Sequence, residues 1–104
     1  MSVTPEKKVK DKVRKILNDG GAYHFMPATH GYGTSGVPDI VGCYHGKMFA
    51  IECKAGSNRP TALQLKSLSA IATAGGYTEV VNEENIPAVA ALLVRIDRDA
   101  KGKH

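Results

Sequence analysis

Val37-Pro38-Asp39-Ile40-Val41-Gly42-Cys43-Tyr44, then His45-Gly46, then Lys47-Met48-Phe49-Ala50-Ile51-Glu52-Cys53-Lys54, is the stretch that decides the fold. Two runs rich in β-branched and aromatic residues flank a glycine-containing pair, the pattern of a β-hairpin. With His45-Gly46 as a two-residue loop, Tyr44 faces Lys47 and the register carries Asp39 opposite Glu52. Directly opposed side chains share a face, with Cβ atoms about 4.5–5.5 Å apart. Lys54, two places beyond Glu52, joins them there. Cys43 falls on the same side as Asp39 and Cys53 on the other. Both cysteines are expected as small buried core residues, not as ligands or disulfide partners.

Working outward, Thr4-Pro5-Glu6 is a helix start, with Thr as N-cap and Pro at the first helical position. Val9, Val13, Ile16 and Leu17 recur at helical spacing, and Asp19-Gly20-Gly21 closes the helix. Ala22 to Met26 reads as a first strand with Tyr23 and Phe25 on one side. A glycine-rich loop, 27–36, leads into the hairpin, and a second loop, 55–60, carries Gly56, Asn58 and Arg59. Thr61 and Gln64 match a capping box for a helix that stops at Gly75-Gly76. Tyr77 to Val81 is a fourth strand. Asn85 is expected to cap a last helix bearing Val89, Leu92, Leu93 and Ile96, with a frayed polar tail after it. The order α-β-β-β-α-β-α predicts a mixed α/β (α+β) domain: a small mixed sheet flanked by helices.

The 104 residues suit one domain with one core. Its core is expected over about 4–97, with a basic tail at 98–104. No apolar stretch approaches the ~18 residues of a membrane span, and the N-terminus lacks the apolar region of a signal peptide. No membrane association and a cytoplasmic location are therefore expected. Fourteen Lys/Arg against ten Asp/Glu give a formal net charge of +4, which suits a polyanionic partner. Basic residues crowd the first helix (Lys7, Lys8, Lys10, Lys12, Arg14, Lys15) and the end of the last. On a helix, such residues also serve simply as a solvated face.

Two carboxylates side by side repel unless a positive group sits between them. A divalent cation with a lysine nearby answers that need and is also the equipment for phosphodiester hydrolysis. Mg²⁺ needs only one or two protein carboxylates, because it keeps several waters. Asp39 and Glu52 would supply these, the Cys53 carbonyl another oxygen, and Lys54 would orient water or stabilise the transition state. The alternative is a surface ion-pair cluster. Against it stand Ile40, Val41, Phe49, Ala50 and Ile51, which make both strands apolar on both faces; acids without a function are uncommon in such surroundings.

Pro38-Asp39 followed by Glu52-Cys53-Lys54 resembles the PD-(D/E)xK nuclease signature, and the element order is similar to that superfamily's restriction-endonuclease-like α-β-β-β-α-β core. Gly36-Val37-Pro38-Asp39-Ile40, Ile51-Glu52-Cys53-Lys54 and Thr61 with Gln64 resemble, more narrowly, the stand-alone VRR-NUC domain. The likeness runs from about Glu6 to Val81. It implies a Mg²⁺- or Mn²⁺-dependent endonuclease with Asp39 and Glu52 as metal ligands, Lys54 as catalytic lysine and Gln64 as an accessory catalytic group. Glu6 matches the superfamily's upstream acid, or is a first-turn acid favourable to the helix dipole. Stand-alone members, mostly from phages, are homodimers that cut four-way (Holliday) DNA junctions, in a host's cytoplasm where phage-encoded. Many relatives carry an aromatic shortly after the glutamine, where Ser67 and Leu68 stand here.

Gly31-Tyr32-Gly33-Thr34-Ser35-Gly36 fits the dinucleotide fingerprint G-x-G-x-x-G literally. That motif must open a helix, and here a strand follows. The loop either brings backbone N–H groups to a DNA phosphate, with His30, Tyr32, Thr34, Ser35 and, from the next loop, Arg59 as contacts, or is simply flexible. A chain this short has no separate domain for reading bases, so recognition should rest on phosphate positions and DNA shape. A non-catalytic module that binds branched DNA on a nuclease fold, and a flap or single-strand nuclease, are the competing expectations.

Overall fold

Positive φ at both His45 (51°) and Gly46 (78°) gives the hairpin turn the handedness that two-residue loops require. The computed structural model describes residues 3–28 and 36–102. Within them lie α1 (Pro5–Asp19), β1 (Tyr23–Phe25), β2 (Ile40–Tyr44), β3 (Lys47–Cys53), α2 (Ala62–Thr73), β4 (Tyr77–Val81) and α3 (Ala88–Lys101). Tyr44 pairs with Lys47 and Ile40 with Ile51, where the ladder ends; Asp39, one residue before β2, meets the end of β3 through side-chain hydrogen bonds instead. The four strands lie in the order β1-β2-β3-β4. The β1–β2 and β2–β3 pairs are antiparallel, and the β3–β4 pair, joined through α2, is parallel.

Strand alternation gives the sheet two unlike faces. Ile40, Phe49, Ile51, Cys53 and Val81 pack on one side with Val9, Val13 and Leu17 of α1 and Val89, Leu92, Leu93 and Ile96 of α3. This is the main core. The other face carries Asp39, Val41 and Cys43, then Met48, Ala50 and Glu52. There α2 packs chiefly on β3 and β4, with Leu68 as its buried side chain. Over β1 and β2 that face lies open: Tyr23 is 69% exposed and Phe25 47%. Cys43 shares this open side and is exposed, contrary to its expected burial, whereas Cys53 is buried.

Helix starts follow the sequence at two of three places. Thr4 Oγ1 accepts from the Lys7 N–H (3.1 Å), and the full capping box of Thr61 and Gln64 forms at α2. At α3 the N-cap is Pro87 without a side-chain hydrogen bond, so Asn85 does not cap the helix. Its amide is spent on the preceding turn, where Oδ1 accepts from the Asn82 N–H (2.7 Å) and Nδ2 donates to the Val80 carbonyl (3.0 Å). The segment expected to fray after Ile96 continues as helix to Lys101. Polar contacts extend it where the apolar stripe ends: Lys101 and His45 each meet Asp97 at 3.0 Å, and the Tyr77 hydroxyl donates to Asp99 (2.7 Å). Among the described residues no helix is long and apolar enough to cross a membrane.

Gly42 fixes how closely β1 approaches the hairpin. A Cβ there would collide with the Tyr23 carbonyl oxygen and the Phe49 ring. Gly42→Ala is expected to cost about 2–3 kcal/mol through overpacking, which lowers the melting temperature by roughly 10 °C or more for a domain this size. Thermal unfolding followed by circular dichroism checks this, and an unchanged midpoint would contradict the packing.

Candidate active site

The residue before β2 and the end of β3 bring two acids together through backbone N–H groups of the facing segment. The Cys53 N–H donates to Asp39 Oδ2 (2.9 Å), and the Asp39 N–H donates to Glu52 Oε1 (3.3 Å). Each carboxylate thus has one oxygen anchored across the hairpin and one left over. Glu52 is only 1% exposed, the single charged residue buried among those described. Its Oε2 has no hydrogen-bond partner. Lys54 Nζ stands 3.3 Å from that atom, within ion-pair reach but without a directed hydrogen bond. Burial, then the neighbouring Asp39, raises the Glu52 pKa, and Lys54 offsets only part of that.

A buried carboxylate oxygen that accepts no hydrogen bond is costly, and native proteins keep few of them. Two acids held side by side, the free oxygen of Glu52 and a lysine fit a hard, oxygen-seeking cation. The Cys53 N–H leaves β3 on the side of Asp39, and a strand residue's carbonyl leaves on the same side as its N–H, so that oxygen is suitably placed as well. Among the described residues, no group of three or more His, Cys, Asp or Glu side chains is arranged to hold a metal ion. The Cys53 thiol, pushed up to about 12 by burial and then by Asp39, is inert in this setting.

Three comparisons with known proteins bear on what this arrangement belongs to. No family model matches the chain. It is 33% identical over 85 residues to "Putative nuclease p44" of Acyrthosiphon pisum secondary endosymbiont phage 1, across 81% of this chain and 85% of that protein. A solved structure described as "VRR_NUC domain" superimposes over 98% of this chain and 100% of its own, with a TM-score of 0.65 at 17% identity. The chain belongs to the VRR-NUC nuclease family. The mixed sheet flanked by helices is the restriction-endonuclease-like fold of that family, as the sequence led one to expect.

In this VRR-NUC chain the remaining expected residues take up different stations. Glu6 lies on α1 and approaches the acid pair only through Lys10, whose Nζ is 3.4 Å from Glu6 Oε2 and 3.6 Å from Asp39 Oδ1. Lys10 was missed in the sequence; its spacing of four from Glu6 was visible, but not its reach to another element. Gln64 uses its side-chain oxygen to accept the Thr61 N–H (2.9 Å), a capping contact rather than one to the acids. The start of α2 is nevertheless tied to the hairpin, because Gly36 (φ +81°) packs against the Leu63 and Gln64 backbone where a Cβ would clash. Arg59 is exposed and lines a polar cleft with Gly56, Ser57, Asn58, Asn82 and Glu84. His30, Tyr32, Thr34 and Ser35 lie outside the described residues.

The raised Glu52 pKa has a consequence for stability. A folded-state value above the unfolded one means the contribution is present at low pH and lost as pH rises through the folded value. Glu52 therefore costs stability at neutral pH. Glu52→Gln is expected to melt higher than the parent at pH 7–8 in a chelating buffer, the gap closing below the ordinary carboxylate range. Equal midpoints throughout would contradict the burial of the charge.

Proposed function

We propose that this VRR-NUC chain is a Mg²⁺- or Mn²⁺-dependent endonuclease that hydrolyses phosphodiester bonds of branched DNA, four-way junctions foremost, as a homodimer. The observation that carries the reading is the buried Glu52 oxygen that accepts no hydrogen bond, held beside Asp39 and the Lys54 ammonium on the fold of a nuclease family. Asp39 Oδ1 and Glu52 Oε2 would hold the cation, with the Cys53 carbonyl. A divalent cation bound there supplies an acidified water and offsets the charge that grows on the phosphate. Lys54 is aimed across the same place from Glu52, so its ammonium can hold the attacking water or donate to a non-bridging phosphate oxygen. Attack by the water oxygen would form one P–O bond as the ester P–O bond breaks, the water giving up a proton to solvent and the departing oxygen taking one from it. Glu6 would act at one remove, through Lys10, and Gln64 by fixing the first turn of α2.

Substrate choice would follow from charge and shape. A net charge of +4 favours a polyanion, and a domain of this size recognises backbone geometry more readily than base sequence. Arg59, with the 29–35 segment before the hairpin, would contact phosphates. One chain offers one active site, whereas cutting two strands of a junction symmetrically takes two; a twofold dimer supplies the second. A cytoplasmic location would give it access to that substrate.

Labelled four-way junction, flap, single strand and linear duplex incubated with the protein in Mg²⁺, Mn²⁺ or Ca²⁺ test this directly. Junction cutting in the first two ions, with binding but little cutting in Ca²⁺, is expected. Binding in every ion with no product in any would mark a non-catalytic module, and preference for flaps or single strands would move the substrate. Asp39→Asn should lose about 10²-fold or more in rate while junction affinity holds, because lysines and arginines grip the phosphates. Lys54→Ala should lose rate by a comparable factor with little loss of metal affinity. Parental turnover in either variant would remove that residue from the chemistry.

A further inference from the structure

The lysines of α1 do not all behave alike. Lys7 and Lys15 pair with Asp11 and Asp19 of their own helix at 2.9 Å, and both pairs are well exposed. Lys10 pairs with Glu6 in the same way but also leaves the helix to meet Asp39, with its side chain only 27% exposed. It stands on the Asp39 side of the acid pair as Lys54 stands on the Glu52 side.

We propose that Lys10 is a resident counter-ion of the acid pair that competes with the divalent cation for Asp39, and that it turns to a phosphate of the bound strand once the cation has arrived. The inference rests on the reading of Asp39 and Glu52 as cation ligands. Asp39 Oδ2 is taken by the Cys53 N–H, so Oδ1 is the oxygen left for a ligand, and Oδ1 is the atom Lys10 faces. An ammonium and a dication at one oxygen repel, and in a half-buried site that repulsion is poorly screened. Displaced from Asp39, the lysine keeps Glu6 as a tether and a four-carbon stem to swing on. Its position at the rim makes a backbone phosphate, beside the acids being bridged, the nearest anion it can meet. Lys10 is thus a positioning residue, joining loss of one partner to gain of the other.

Calorimetric titration of the full chain with MnCl₂ separates these roles. Lys10→Met, which keeps the stem and removes the charge, is expected to bind Mn²⁺ about tenfold more tightly, whereas Lys10→Arg stays near the parent. The same Lys10→Met protein loaded with Ca²⁺ should bind four-way junction several-fold more weakly. A purely structural lysine would give neither opposed change. Mn²⁺ affinity that is unchanged or weaker in Lys10→Met, with the parent binding normally, overturns the proposal. A parent that takes up no Mn²⁺, or an Asp39→Asn variant that binds as the parent does, would remove the cation site itself and the inference with it.

Discussion

Repulsion between Asp39 and Glu52 is the constraint around which the rest of the structure is arranged. The hairpin brings them together where its ladder ends, and hydrogen bonds from the Cys53 N–H to Asp39 and from the Asp39 N–H to Glu52 prevent either from swinging away. One of the two is almost fully buried, which removes the water that would otherwise dilute the charge. The surroundings answer with two ammonium groups, Lys54 from the same strand and Lys10 from α1, and still leave one carboxylate oxygen without a directed partner. A fold selected for stability alone would have had cheaper choices at these positions.

The scaffold keeps this unfavourable pair in place through apolar packing on the opposite side of the sheet. Ile40, Ile51 and Cys53 alternate with Asp39, Glu52 and Lys54, so the strands that carry the acids are anchored by α1 and α3 beneath. The helices contribute to the site from both faces: α1 sends Lys10 and Glu6 toward Asp39, and α2 begins where Gly36 brings the hairpin's leading segment against it.

Most of the fold was legible because each element carries a local signal. The Gly46 turn set the register, Thr4 and Thr61 marked helix starts, and glycine pairs marked their ends. The failures came where tertiary contacts outweighed those signals. Asn85 has the side chain of a cap but a closer use in holding the Asn82 turn, and α3 runs beyond its apolar stripe because Tyr77 and His45, distant in sequence, reach its last turns. Cys43 alternates correctly, yet is exposed because α2 covers only half of that sheet face. At the candidate site the acids and Lys54 could be read from hairpin spacing alone, whereas Lys10 could not. Its partner Asp39 is 29 positions away on another element, and no periodicity within α1 points across that gap.

Anomalous diffraction from crystals soaked in MnCl₂ tests the central claim most directly. One strong manganese peak is expected between the hairpin strands, about 2.0–2.2 Å from an oxygen of each acid. A peak bound to one acid alone, or ordered manganese only elsewhere on the molecule, would contradict the claim that Asp39 and Glu52 are held together to share a cation.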